Sequence, residues 1–231
     1  MKFNSILFAV LVLLGGCGEP NLDVAETKDK ILAEAIDADK IQQRGEVGEK
    51  LYYAPNEQEP YTGWIKEMYN NGKVKILFYV KDGKKDGLFT KWHENGQKRE
   101  ETNFKNGKLD GIGASWHENG QKSSEINFKN GKEDGLYTKW DENGVKQSEE
   151  NYKDGKLDGQ RTLWHDNGQK EYEGNYKDDK LDGQQTLWYE NGQKNTELNY
   201  KDGKLDGQQT EWNENGQKES EGNYKDGKEV D

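Results

Sequence analysis

Residues 87–110 read Gly87-Leu-Phe-Thr-Lys-Trp92-His-Glu-Asn95-Gly96-Gln-Lys-Arg-Glu-Glu-Thr-Asn-Phe104-Lys-Asn106-Gly107-Lys-Leu109-Asp110, and this pattern returns every 24 residues. Its first glycine recurs as Gly63, Gly111, Gly135, Gly159, Gly183 and Gly207, with no insertion or deletion between them. A fixed period of this kind means one supersecondary unit stacked on copies of itself. Each unit carries two turn signals. Asn95-Gly96 returns as Asn71-Gly72, Asn119-Gly120, Asn143-Gly144, Asn167-Gly168, Asn191-Gly192 and Asn215-Gly216. Asn-Gly suits a type I′ turn, in which both central residues need positive φ. Asn106-Gly107 returns as Asp82-Gly83, Asn130-Gly131, Asp154-Gly155, Asp202-Gly203 and Asp226-Gly227. The departure is Asp178-Asp179, where an aspartate takes the glycine place at a cost in backbone strain. Two tight turns per unit leave two strands of about eight or nine residues and no room for a crossover helix, so an antiparallel meander is expected. The fold class is all-β, an elongated meander of seven stacked hairpin repeats over residues 63–231.

Counting the first glycine as position 1, Trp92, Trp116, Trp140, Trp164, Trp188 and Trp212 all fall at position 6, with Met68 in the first repeat. Phe104, Phe128, Tyr152, Tyr176, Tyr200 and Tyr224 fall at position 18, with Val80 in the first. Stacking therefore yields two aromatic ladders. Strict alternation would send them to opposite faces of the sheet. The Asp-Gly at positions 24 and 1 lies inside a strand, where glycine marks a bulge, and one bulge would bring both ladders to one face. The ladders then read as shared core, and Trp140→Ala should cost about 3–5 kcal/mol. An exposed Trp ladder would instead be the candidate binding face. Only 29% of the residues are hydrophobic against 34% charged, too few for a thick core, so the aromatics have to supply the apolar area.

The chain opens Met-Lys-Phe-Asn-Ser-Ile-Leu-Phe-Ala-Val-Leu-Val-Leu-Leu-Gly-Gly-Cys17. One positive charge, a short apolar run, two small residues and a cysteine read as a secretory signal over 1–16, too short to remain as a spanning helix. Leu14-Gly15-Gly16-Cys17 resembles the lipobox of bacterial lipoproteins. The resemblance implies acylation of the Cys17 thiol and cleavage before it, making Cys17 the first mature residue. Cys17 is the only cysteine, so no disulfide can form within the chain. Gly18 follows in place of the aspartate that resembles an inner-membrane retention signal, which favours the outer membrane, facing the periplasm or the cell surface. Residues 17–48 read as an acidic, lipid-anchored tether with a short helix around Ile31, Leu32, Ala35 and Ile36. Residues 49–62 read as an N-terminal capping hairpin, Leu51–Ala54 and Pro60–Gly63 being its strands.

The run Asn-Gly-Gln-Lys, then an aromatic, then Lys-Asp-Gly-Lys-Leu-Asp-Gly is similar to the MORN-repeat variant of bacterial proteins, over about residues 49–231. Proteins of this type are commonly labelled YwqK-like antitoxins of toxin–antitoxin systems. The resemblance implies an elongated twisted sheet used for protein or membrane-surface association, with no catalytic motif to carry over. The lipobox departs from that pattern, because an exported, anchored protein cannot neutralise a toxin in the cytosol. An immunity protein against a toxin delivered to the envelope, or an envelope scaffold, would reconcile the two signals.

Little in the chain points to other chemistry. A net charge of −11 with acids interleaved among every basic stretch excludes a nucleic-acid face and a basic amphipathic membrane helix. His93, His117 and His165 share position 7 and are each followed by an acid, but Tyr69, Asp141, Tyr189 and Asn213 hold the same place. That reads as a solvated site beside a turn, and neither a metal nor another cofactor is expected. Carboxylates repeat with the array and do not converge on one pocket, so an enzyme is not expected either. The expected partner is another protein, a toxin among the candidates, alongside the membrane reached through the anchor; the pattern leaves the oligomeric state open.

Overall fold

The computed structural model describes residues 20–46 and 48–231. The stretch read as a signal segment and Cys17 lie outside the described residues. From Gly63 on, each repeat forms the expected hairpin. One strand runs from position 22 to position 6, as in Lys84–Trp92, and its return strand from position 12 to position 19, as in Lys98–Lys105. From Gly63 on neighbouring strands pair antiparallel, and with the N-terminal strand Ile36–Asp37 they build one 17-stranded sheet. At about 4.8 Å per strand the sheet is roughly 70 Å long.

The two turns are built differently. Asn106 and Gly107 both have positive φ, 51° and 82°, as a type I′ turn requires, and the equivalent pairs repeat this. At Asn95-Gly96 only the glycine is left-handed, at φ 96°. His93 N–H donates to Gln97 O and Gly96 N–H to His93 O, which makes a longer loop of a type I turn closed by glycine. The type I′ reading is corrected there. Asp178 and Asp179 adopt φ 48° and 67°, so the strained aspartate is real; its carboxylate accepts the Leu157 N–H at 2.8 Å.

A bulge lies where Asp-Gly interrupts the strand. Thr102 pairs with Gly113 and Phe104 with Leu109, which leaves Asn103 facing Asp110, Gly111 and Ile112. The excess is two residues, so alternation survives it. A one-residue bulge sits beside the other turn, between the pairs Lys91–Glu100 and Trp92–Lys98. Phe104 pairs with Gly87, five residues from Trp92, and an odd separation means opposite faces. The expectation that a bulge would merge the ladders is overturned: there is a Trp face and a Tyr/Phe face.

The buried hydrophobic residues lie between Leu22 and Trp92. Helix α1 (Ala25–Glu34) lies on the Trp face of the first two repeats, where Leu22, Ile31 and Leu32 pack with Leu77, Leu88 and Trp92. The segment read as a tether is thus a docked cap from Leu22 on. Strand β1 (Ile36–Asp37) then runs parallel to β4 (Gly63–Met68) and covers the sheet's first edge. Beyond it the chain crosses to the Tyr/Phe face, where Ile41, Tyr52 and Tyr61 cover Ile65, Phe78 and Phe89. β2 (Gln42–Arg44) pairs with β3 (Leu51–Tyr53), so the hairpin uses residues upstream of the expected span. Pro60–Thr62 is not a strand; its Tyr61 N–H donates to Tyr52 O at 2.8 Å.

From repeat 3 onward, among the described residues, buried side chains are Thr, Ser and one Glu, and both ladders are half-buried. Trp140 therefore loses less than a core residue would. Trp140→Ala should cost roughly 1–2 kcal/mol, whereas Leu77→Ala, under the helix, should cost about 2–5 kcal/mol. Urea unfolding of the two variants checks the order; equal losses would mean the Trp ladder is buried after all.

Candidate functional site

The turns do more than reverse the chain. Position 7 reaches into the next repeat: His93 Nε2 lies 2.9 Å from Trp116 O, His117 Nε2 3.0 Å from Trp140 O, and His165 Nε2 3.1 Å from Trp188 O. Tyr69 and Tyr189 donate their hydroxyls to Trp92 O and Trp212 O at 2.7 and 2.9 Å. A carbonyl only accepts, so each histidine carries its proton on Nε2. Position 7 is a staple between repeats, not a solvated site, and its signal was available: His and Tyr both place a donor at the far end of a ring. Asparagine at position 9 adds a second link. Asn95, Asn119, Asn167 and Asn191 donate to the position 8 carbonyl of the next repeat at 2.6–2.8 Å.

At the opposite edge the Gly107 N–H donates to Lys85 O at 2.7 Å and the Asn106 N–H to Asp86 Oδ2 at 2.9 Å. Equivalent bonds recur down the array, Gly131 to Leu109 O and Asn130 to Asp110 Oδ2 among them. The junction between repeats 4 and 5 is the exception at the long turns. Asp141 turns inward and accepts the N–H groups of Asn143 and Val145, and these bonds, Val145 first, hold its carboxyl below the usual range. Asn143 donates to Asp141 instead of to the next repeat.

The faces differ in what covers them. On the Trp face, Lys98 lies 5.7 Å from the Trp116 ring centroid and pairs with Glu101; Lys146 lies 5.3 Å from Trp164 and pairs with Glu149. The same trio recurs at Trp140, Trp188 and Trp212. Each exposed cation–π contact is worth about 0.5–1 kcal/mol, and together they lay a charged coat over the Trp ladder. Just past the helix, Ile112 and Leu136 stand 58% and 46% exposed on this face, in the row that Leu88 occupies under α1.

On the Tyr/Phe face Lys85 covers Phe78, Phe89 and Phe104 and Lys139 lies over Tyr137, but in repeats 5 and 6 the coat thins to Arg161, 5.9 Å from the Tyr172 ring. Tyr152, Tyr176 and Tyr200 pair across strands with Leu157, Leu181 and Leu205. In repeats 5 and 6, Leu163, Tyr172, Leu187 and Leu198 fall on the same face by strand register. Arg161 is the cation of this stretch, its Nε 3.5 Å from the buried Glu150 carboxylate. Tyr152 donates to Glu150 at 2.8 Å, and burial first, then that carboxylate, push its phenol well above the usual range. Tyr172 folds along its strand to meet the Tyr176 hydroxyl at 2.7 Å; a Cβ at Gly174 would lie 2.3 Å from its oxygen. The result is a flat tyrosine and leucine surface.

Six tandem stretches, 85–106, 109–130, 133–154, 157–178, 181–202 and 205–226, match the MORN repeat variant family. The chain belongs to that family. No curated protein matches it. The first hairpin falls outside the matched stretches, and it is the one whose Val74, Leu77 and Val80 serve the cap. The Trp and Tyr/Phe residues singled out from the sequence thus occupy two surfaces. Among the described residues no cluster of three or more His, Cys, Asp or Glu could hold a metal ion.

Removing one staple should be felt locally. His117→Ala and Asn119→Ala should each lower stability by about 0.5–1.5 kcal/mol, read by urea unfolding. A fully additive double variant is expected for independent sites, so coupling between His117 and Asn119 would show that the two links act as one.

Proposed function

We propose that this chain is a non-catalytic docking array, anchored in the bacterial envelope by a lipid on Cys17, that presents its tyrosine and leucine face to a protein partner. The observation that carries the docking face is its asymmetry. A row of half-buried Tyr and Leu in repeats 5 and 6 lacks the Lys and Glu that shield the Trp face. Tyrosines on paired strands lose little freedom on binding, which suits them as anchors. The family supports a repeat-based binding or scaffold role. Anchoring rests on Leu14-Gly15-Gly16-Cys17, and Gly18 favours the outer membrane. An antitoxin-like array exported and anchored in this way would serve as an immunity protein, with a toxin as its partner.

Two measurements test this. Cys17→Ala should abolish palmitate incorporation and release the chain from the membrane fraction. Leu163→Asp with Leu187→Asp should abolish recovery of the cross-linked partner, while Gln160→Asp with Gln184→Asp on the Trp face should leave it intact. Equal loss in both pairs, with circular dichroism unchanged, would remove the case for the tyrosine face.

A further inference from the structure

The charges around the uncovered face have a symmetry of their own. In repeat 4 the position 5 side chain is Lys139, which is exposed, lies 4.9 Å from the Tyr137 ring and has no carboxylate partner among the described residues. In repeat 7 the same position is Glu211, which accepts from Gln209 and Ser220, both at 2.8 Å, and has no cationic partner among the described residues. Between them position 5 is Leu163 and Leu187. A cation, two leucines and a carboxylate therefore stand in one row, evenly spaced by the repeat.

We propose that this face docks on the same face of a second copy of the chain, about a two-fold axis parallel to the strands and lying over Lys170–Lys177. The proposal rests on the docking reading above and names its occupant. A rotation about that axis sets repeat 4 of one copy against repeat 7 of the other, so Lys139 meets Glu211 twice, as an isologous contact requires. Leu163 meets Leu187, and Arg161 meets Gln185. At the axis stands Gly174, over which Tyr172 lies flat, so the two sheets can approach closely where they cross.

The other rotation in the plane, about an axis across the strands, would set Lys139 near Lys139 and leave Glu211 near Glu211. Charge selects the first. From Lys132–Trp140 to Gly207–Trp212 the patch spans seven strand positions. With strands about 4.8 Å apart and rows of about six residues it measures roughly 30 by 20 Å. Two copies then bury on the order of 1,200 Å², the lower end of specific interfaces, which fits a reversible dimer.

The test uses the full chain in its own membranes, with a benzophenone amino acid in place of Tyr176 on the axis strand, or of Trp164 on the far face as control. Irradiation should give a homodimer from position 176 and none from 164. Lys139→Glu or Glu211→Lys alone should cut the yield about tenfold, and the two together in one chain should restore it. Homodimer from both positions, or a double swap that restores nothing, overturns the proposal. Cross-linking of 176 only to a different protein overturns the second copy but leaves the docking reading standing. No product from 176 removes both.

Discussion

A sheet with solvent on both sides has no interior, so whatever holds one hairpin to the next must lie in the sheet and along its two edges. Here the backbone ladder does most of it, and each edge adds its own links. Staples from His or Tyr and from Asn join consecutive long turns, while Gly N–H bonds and Asp carboxylates join consecutive type I′ turns. These links span 20 to 23 residues, so the 24-residue period is a bonding requirement. A deletion of one residue would put every link that spans it out of register.

The first two repeats show what the array needs in order to begin. They carry Val74, Leu77 and Val80 where later repeats carry Lys, Glu, and Phe or Tyr, and the N-terminal segment wraps both sides of them. The cap supplies the one conventional core among the described residues and blunts the first edge through β1. Beyond it the array can dispense with apolar burial because its rows of side chains pair with each other.

The meander, its strand lengths and the bulge at Asp-Gly were legible because they follow from turn chemistry, which is local. The relation between the two faces was not. It depends on whether a bulge holds one extra residue or two, and nothing in Asp110-Gly111 decides that; the wider gap goes with Asn127 and Asn151, whose side-chain amides donate across it to Asp134 O and Gln160 O. Asn95 was misread for a related reason. Its side-chain bond to the next turn and its tolerance of positive φ both favour asparagine, and only the neighbouring repeat shows which of the two is in use. The tyrosine face was hidden as well, because Lys98 and Glu101 look like ordinary surface charges until they are seen to coat Trp116.

That coat gives the array a directional surface: one side covered by its own charges except at Ile112 and Leu136, the other left apolar over repeats 5 and 6. The central claim beneath it is that order beyond Trp92 comes from ladders and not from a buried core. Native-state hydrogen exchange tests it most directly. The account predicts protected strand amides through Lys132–Lys201, far from the cap, with a local dip at the turn of Asp141–Val145 where the staples to the next repeat are missing. Protection confined to Gly63–Trp92, with fast exchange throughout the later repeats, would contradict it.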